Sequence, residues 1–342
     1  MPLKGIYRIL VCRPNHRLGN TLLLTPLVAE LERTFRGAEI DILSEGQIAT
    51  EVFSTCFSVK NIYCLPRRGF KHPFAFLAML LRIRKIPYDL IIDPCLGSNF
   101  SRAMTKFLHG RNKLGFDDHV GVSGLTHAVP RSVATRHMAK RALNLVRWID
   151  RRTDADGDSD EFPSMNIRLT ANEHAQGRRM LDGILPSGHR PRNQPVVGIF
   201  ANATGAKRYS QTWWREFIAA LVQRLPHASI VEFLPMHGRS MLDSEWPAYY
   251  SSDIRRMGAV MAAVDLLVSA DCGVMHLAVA SGVPTVGLFC VTDPAVYEPY
   301  GQQNRALQTG DLSARECAGR IIDCYAGALT RSTVVSSVDP RD

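Results

Sequence analysis

One stretch restricts the fold of this 342-residue chain more than any other. Val264 to Val268 is a short apolar run, Asp271-Cys272-Gly273 interrupts it, helix formers continue to Gly282, and Val283 to Phe289 is apolar again. Two short buried strands joined by a helix read as a βαβ crossover, which makes the strands parallel. The helix would open just after Asp271, where unpaired N–H groups and the positive dipole end favour an anion such as a phosphate. Gly273 lets a ligand approach the backbone, and Asp271 and His276 add polar groups at the same rim. An ordinary crossover, with Asp271 as N-cap and His276 merely packed, has the same pattern.

The rest of the chain alternates in the same way. Strands are expected at Tyr7 to Cys12, Glu39 to Leu43, Asn61 to Leu65, Leu90 to Asp93, Val196 to Phe200 and Ser229 to Leu234. Helices are expected at Asn20 to Phe35, Phe70 to Lys85, Trp213 to Leu225, Asp253 to Ala263 and Ser313 to Leu329. Repeated βα units predict an α/β fold with parallel sheets covered on both faces. The length suits two domains. Arg151 to Phe162 is acidic and lacks large aliphatics, and Pro186 to Pro195 is polar and proline-bounded, so both read as loops. The expected division is 1–165, a linker at 166–195, a second α/β domain at 196–312, a helix at 313–329 and a tail at 330–342. Polar clusters follow the strands at Arg13 to Thr21, Asp93 to Arg102, Ala201 to Ser210 and Pro235 to Ser240. Parallel sheets bind ligands at these carboxyl ends, so the clusters are expected to face one central cleft.

Charge is uneven. Residues 1–150 hold 22 Lys/Arg against 11 Asp/Glu, more than accounting for the whole-chain excess of +9. No acid lies between Glu51 and Asp89, where seven Lys and Arg residues stand. Such a half suits an anionic partner: a phosphorylated glycolipid, a membrane surface or nucleic acid. Nucleic acid is disfavoured because no aromatic-interleaved RNA motif occurs and many basic residues follow strand ends. The 70–85 helix, apolar in its middle and basic at its end, could rest on an anionic leaflet, but packing on its own sheet is the favoured reading. The eight cysteines form no CxxC pair and no metal spacing, and several sit in apolar runs. Free thiols of that kind, with no signal-peptide pattern and no spanning apolar run, point to the cytoplasm or its membrane face. No metal site is indicated by the His spacing.

The loop from Arg13 to Pro26 is neither GxGxxG nor GxxxxGK[ST], which argues against dinucleotide enzymes and P-loop NTPases. Four segments, ILVCRPNHRLGNTLLLTPLVAEL, YDLIIDPCLGSNFSR, GIFANATGAKRYSQTWW and SADCGVMHLAVASGVPTVGLFCVTDP, together resemble glycosyltransferase family 9, the lipopolysaccharide heptosyltransferases. The resemblance implies a GT-B architecture, two Rossmann-like domains with an N-terminal acceptor side, a C-terminal nucleotide-sugar side and a closing C-terminal helix. It implies inverting transfer of heptose from ADP-heptose to an inner-core sugar, with no metal and no cofactor beyond the donor. A non-catalytic nucleotide-sugar binder, or a transferase with another donor, stands as the alternative. Leaving-group charge would fall to the amides of Cys272, Gly273 and Val274 and to Lys207 with Thr204. Asp271 would cap its helix or hold a ligand hydroxyl, and His276 would touch phosphate or pack. Arg13, Arg17, Gly19, Arg67 and Arg68 are the candidate acceptor contacts. Trp213 and Trp214 are expected to anchor a helix on the second sheet, with Trp213 at the border of the donor pocket as the alternative reading.

The chain departs from the resemblance at one place. The family loop carries Gly-Asp, and that Asp is taken as the general base; here the pair is Gly19-Asn20. An amide is no useful proton acceptor at neutral pH, and a positioned base is worth roughly 10²–10⁴ in rate. His16 in the same loop, Asp93 at the end of the 90s strand, or an Asn20 that only orients the acceptor hydroxyl are the three readings.

Overall fold

The computed structural model describes residues 3–67, 69–118, 124–150, 162–186, 188–189, 194–301 and 303–330. The chain divides into two compact units, Met1–Arg168 and Leu169–Asp342. Unit 1 runs β1 (Arg8–Cys12), α1 (Leu18–Leu22), α2 (Thr25–Thr34), β2 (Glu39–Glu45), α3 (Ile48–Val52) and β3 (Val59–Leu65). It continues through α4 (Pro73–Arg84), β4 (Tyr88–Asp93), α5 (Asn99–Phe107), β5 (Gly110–Asp117), β6 (His127–Pro130) and α6 (Met138–Asp150). The six strands form one parallel sheet in the order β3-β2-β1-β4-β5-β6. β1 is buried along four of its five residues, as a strand covered on both faces must be.

The expected helix from Asn20 to Phe35 is two helices. Pro26 sits in the first turn of α2, where its missing N–H costs nothing, and the chain turns at Leu23 and Leu24 before restarting. α4 packs through Leu80 and Ile83, and the Arg84 guanidinium donates to the Phe107 carbonyl at 3.0 Å. Its other face stays open: Phe74 is 87% exposed, and Leu77 and Leu81 are about half exposed. The helix therefore packs on its own unit and still presents apolar side chains outward.

Unit 1 ends in a strap sewn to α2 and to the turn that follows α3. Asn166 N–H donates to Thr25 Oγ1, the Thr55 hydroxyl donates to the carbonyls of Ile167 and Arg168, and Arg168 pairs with Glu32 through both terminal guanidinium nitrogens. The first unit thus ends at Arg168.

Unit 2 runs α7 (Ala171–Ile184), β7 (Val196–Phe200), α8 (Gln211–Arg224), β8 (Ser229–Phe233), β9 (Ala248–Tyr249) and α9 (Ile254–Met261). β10 (Leu266–Ala270), α10 (Gly273–Ala280), β11 (Thr285–Phe289), α11 (Pro294–Tyr297), β12 (Arg305–Gln308) and α12 (Ala314–Thr330) complete it. Its sheet is parallel in the order β12-β11-β10-β7-β8-β9. Counted from its own first strand, this is the order of unit 1. Both units are Rossmann-like, and each reverses direction at one strand pair: β1 beside β4, and β7 beside β10. α12 buries Cys317, Ala318, Ile321 and Tyr325 in the core of unit 2 with Trp214 and Phe217 of α8. The acidic stretch 151–161 and the tail beyond 330 lie outside the described residues.

The stretch 166–195, expected as a linker, contains the 14-residue helix α7. A capping box between Thr170 and Glu173 opens it. Glu173 also receives the Arg255 guanidinium at 2.6 and 2.8 Å, which ties α7 to α9. Backbone approaches backbone here: a Cβ on Gly177 would lie 2.1 Å from the Ala259 carbonyl oxygen.

Gly177→Ala is expected to force α7 off α9 and to cost at least about 1–3 kcal/mol, read by chemical denaturation. Arg255 holds the Glu173 carboxyl well below its ordinary 4.5, at about 2. A depressed carboxyl stabilises the fold above its unfolded value and loses that contribution as pH falls. The stability gap between wild type and Glu173→Gln should therefore narrow as pH drops from 4.5 towards 2.

Candidate functional site

Doubly wound sheets bind ligands outside the carboxyl ends of the strands where the winding reverses. In unit 2 those ends release the loop 201–210 from β7 and Asp271-Cys272 from β10. Gly205, at φ +62°, takes a left-handed turn and a short 3-10 segment that carries Lys207. The Lys207 ammonium donates to Asp271 Oδ2 at 2.6 Å, so the two loops meet through an ion pair across the reversal. Asp271 is almost wholly buried and Lys207 about one-third exposed, which places the cation at the rim and its counter-charge beneath. Thr204 is exposed on the same loop.

Asp271 does not cap the helix. Its N–H donates to Leu288, extending the sheet, and Cys272 takes the N-cap position in extended conformation with no side-chain bond to the first turn. The amides of Gly273 and Val274 therefore open α10 without a capping oxygen. Burial pushes the Cys272 thiol up, while the neighbouring Val274 and Met275 amides act in the opposite direction. α10 sits close on its sheet, since a Cβ on Gly287 would fall 2.4 Å from the Met275 sulfur.

His276 is buried one turn into α10, its ring 6.4 Å from that of Tyr297. The Lys207 ammonium lies 5.7 Å over the same Tyr297 ring. Tyr297 thus joins Lys207 and His276, and sequence reasoning missed it. The available signal was Asp293-Pro294, which caps and starts the short helix α11 that carries it. Trp213 is half-buried, 4.3 Å from the Tyr209 ring and stacked on Phe217, while Trp214 is fully buried.

In unit 1 the corresponding loops follow β1 and β4. The Arg13 guanidinium donates to Cys95 Sγ at 2.9 Å and joins them. Burial raises the Cys95 thiol, and the Arg13 charge opposes it. Asn15 Oδ1 accepts the Arg17 N–H at 2.8 Å and the Asn20 amide at 3.1 Å, so Asn20 is a donor within its own loop. Gly19 lies in the first turn of α1. His16 Nδ1 is 3.0 Å from Glu45 Oε2, at the end of β2. The Arg67 stem lies against Gly46, whose φ is +74°; Arg68 lies outside the described residues. Arg17 and Arg67 are exposed.

Asp93 is sealed. It is 0% exposed, accepts from the Ser101 hydroxyl and the Cys95 N–H on one oxygen, and pairs with Arg102 Nε at 3.0 Å on the other. Arg102 is itself buried and also donates to the Phe116 carbonyl. Burial raises the Asp93 carboxyl, against these hydrogen bonds and the Arg102 charge. Among the described residues no cluster of three or more His, Cys, Asp or Glu is placed to hold a metal ion.

Residues 252–323 match glycosyltransferase family 9 (heptosyltransferase), which bears out the resemblance read from the sequence and covers the whole β10–α10–β11 region. A comparison with curated proteins returns no match. Among solved structures, a family 9 glycosyl transferase from Veillonella parvula superposes with a TM-score of 0.77 at 17% identity, over 97% of this chain and 99% of that one. E. coli ADP-heptose lps heptosyltransferase II gives 0.69 at 15%, over 96% and 100%. E. coli heptosyltransferase WaaC with ADP-2-deoxy-2-fluoro heptose gives 0.67 at 19%, over 94% and 99%. The fold is that of these enzymes, the GT-B class, and both units belong to it.

Asp93→Asn is expected to leave Arg102 with Asp118, 3.4 Å away, as its remaining carboxylate and to cost up to about 3–5 kcal/mol in chemical denaturation. A change in activity with no loss of stability would contradict the structural role of this carboxylate.

Proposed function

We propose that this protein is a glycosyltransferase that moves a heptose from ADP-heptose to the inner core of a lipopolysaccharide, or to a related anionic glycolipid, with inversion at the anomeric carbon. The observation that carries the reading is the uncapped N-terminus of α10 set beside Lys207 at the strand reversal of unit 2. Displacement of a nucleoside diphosphate from a sugar puts negative charge on the leaving oxygen. Amides of the first turn of α10 and the Lys207 ammonium supply preorganised positive charge there without solvent reorganisation. The E. coli relative solved with ADP, whose fold this chain shares, supports the choice of donor.

In this reading Asp271 does two things. It holds Lys207 over Tyr297, and it accepts a hydroxyl of the donor once phosphate competes for the lysine. Thr204 and His276 complete the phosphate contacts, and Trp213 borders the pocket. Unit 1 is the acceptor side: Arg17 and Arg67 are the exposed guanidinium groups for acceptor phosphates or carboxylates, with Arg13 behind them. The exposed apolar face of α4, flanked by Lys71, Arg82 and Lys85, suits an enzyme resting on an anionic leaflet at the cytoplasmic face of the inner membrane. No described helix is long and apolar enough to cross a membrane.

Titration calorimetry should find ADP bound more tightly than UDP, with affinity weakened in both Lys207→Ala and Asp271→Ala. Equal ADP affinity in wild type and both variants would remove the donor site from this loop pair.

A further inference from the structure

The acceptor side needs a group that takes a proton from the attacking hydroxyl, and two of the three readings of the sequence leave no accessible base. Asn20 is an amide, and its nitrogen donates to Asn15. The Asp93 oxygens are buried against Ser101, Cys95 and Arg102. His16 is different. Its side chain is 41% exposed, and its Nδ1 meets Glu45 Oε2, a carboxylate 25% exposed.

We infer that His16 and Glu45 form the general-base pair of this enzyme, with Glu45 as the positioning residue. The inference rests on the transferase reading above. Glu45 is the last residue of β2, whose neighbour β1 ends just before the His16 loop, so both groups stand at the carboxyl edge where a doubly wound sheet binds ligands. A carboxylate at Nδ1 fixes the tautomer with the proton on that nitrogen, which leaves Nε2 as the basic one. The same orientation logic operates wherever a carboxylate holds a catalytic imidazole.

The pair contributes little to folding, because a partly exposed contact between two polar side chains is screened by water. Its surroundings suit an anionic acceptor: Arg17 is one residue away in the loop, and the Arg67 stem and the His16 Cβ both lie against Gly46. Gly46, at φ +74°, turns the chain directly after Glu45, and its N–H is held by the Leu65 carbonyl at 3.1 Å. The carboxylate is therefore anchored on a strand, and the imidazole on a loop that Asn15 braces from inside.

The step balances without a further reactant. The acceptor hydroxyl gives its proton to His16 Nε2 as its oxygen bonds to the anomeric carbon. The bond from that carbon to the diphosphate oxygen breaks, and ADP leaves with the electron pair. Glu45 stabilises the imidazolium that results.

Two measurements test the pair. In long-range proton–nitrogen spectra of the full chain, with His16 assigned by its loss in His16→Gln, wild type should show His16 protonated at Nδ1, and Glu45→Gln should shift it towards a mixture of tautomers. A wild-type His16 protonated at Nε2 would overturn the inference whatever the activity. In assays of ADP release from ADP-heptose with a heptose-free inner-core oligosaccharide, His16→Gln should lose roughly 10²–10⁴ in kcat. Glu45→Gln should lose less, Glu45→Asp should recover part of it, and donor KM and calorimetric ADP affinity should hold in all three. Wild-type turnover in His16→Gln would likewise overturn it. Absence of ADP binding in wild type would count against the transferase reading instead, and the tautomer measurement decides the pair independently.

Discussion

Two parallel strands that neighbour each other in space while their connections wind off in opposite directions leave a gap above their carboxyl ends. No helix fills that gap, and the loops that leave the strands must bridge it. This chain builds the arrangement twice, at β1/β4 and at β7/β10. In each unit a cation spans the gap: Arg13 reaches the Cys95 sulfur in unit 1, and Lys207 reaches Asp271 in unit 2. The polar chemistry of the molecule is arranged around these two bridges.

The two rims differ in how their charges are held. In unit 2 the carboxylate is buried and the lysine is at the surface, so an arriving anion meets the cation first and the Asp271 charge is what it must compete with. In unit 1 the buried carboxylate, Asp93, is matched by an equally buried Arg102, and that pair braces the β4 loop from below. What remains accessible there is basic or titratable: Arg17, Arg67 and His16 with Glu45. In the proposed reading, one rim takes the diphosphate leaving group and the other the anionic acceptor.

Much of this was legible in the sequence. The central strands of both sheets are continuous apolar runs, so β1, β4, β7, β10 and β11 are legible to within a residue or two, and so are the polar loops that leave them. Strands near the sheet edges left weaker marks. β5, GRNKLGFD, buries only its last apolar residues, and β6 is four residues long, so neither stood out. α7 reads as linker in the sequence because it buries little beyond Gly177 and Leu181; its place is fixed by the Glu173–Arg255 pair and by the absent side chain at Gly177, neither of which shows as hydrophobic periodicity. The pairing of His16 with Glu45 was equally hidden, since the two are 29 positions apart and meet only once β1 and β2 are in register. Tyr297 escaped for a similar reason: it lies beyond β11, and only the turn at Asp293-Pro294 brings its ring to Lys207 and His276.

The central claim is that the opening turn of α10, with the Lys207 loop, receives the diphosphate. Amide hydrogen exchange followed by mass spectrometry, with and without saturating ADP, reads those backbone groups directly. The account predicts that ADP slows exchange in peptides covering 203–208 and 271–276 and leaves the 13–20 loop unchanged. Exchange at 271–276 that is the same with and without bound ADP would contradict it.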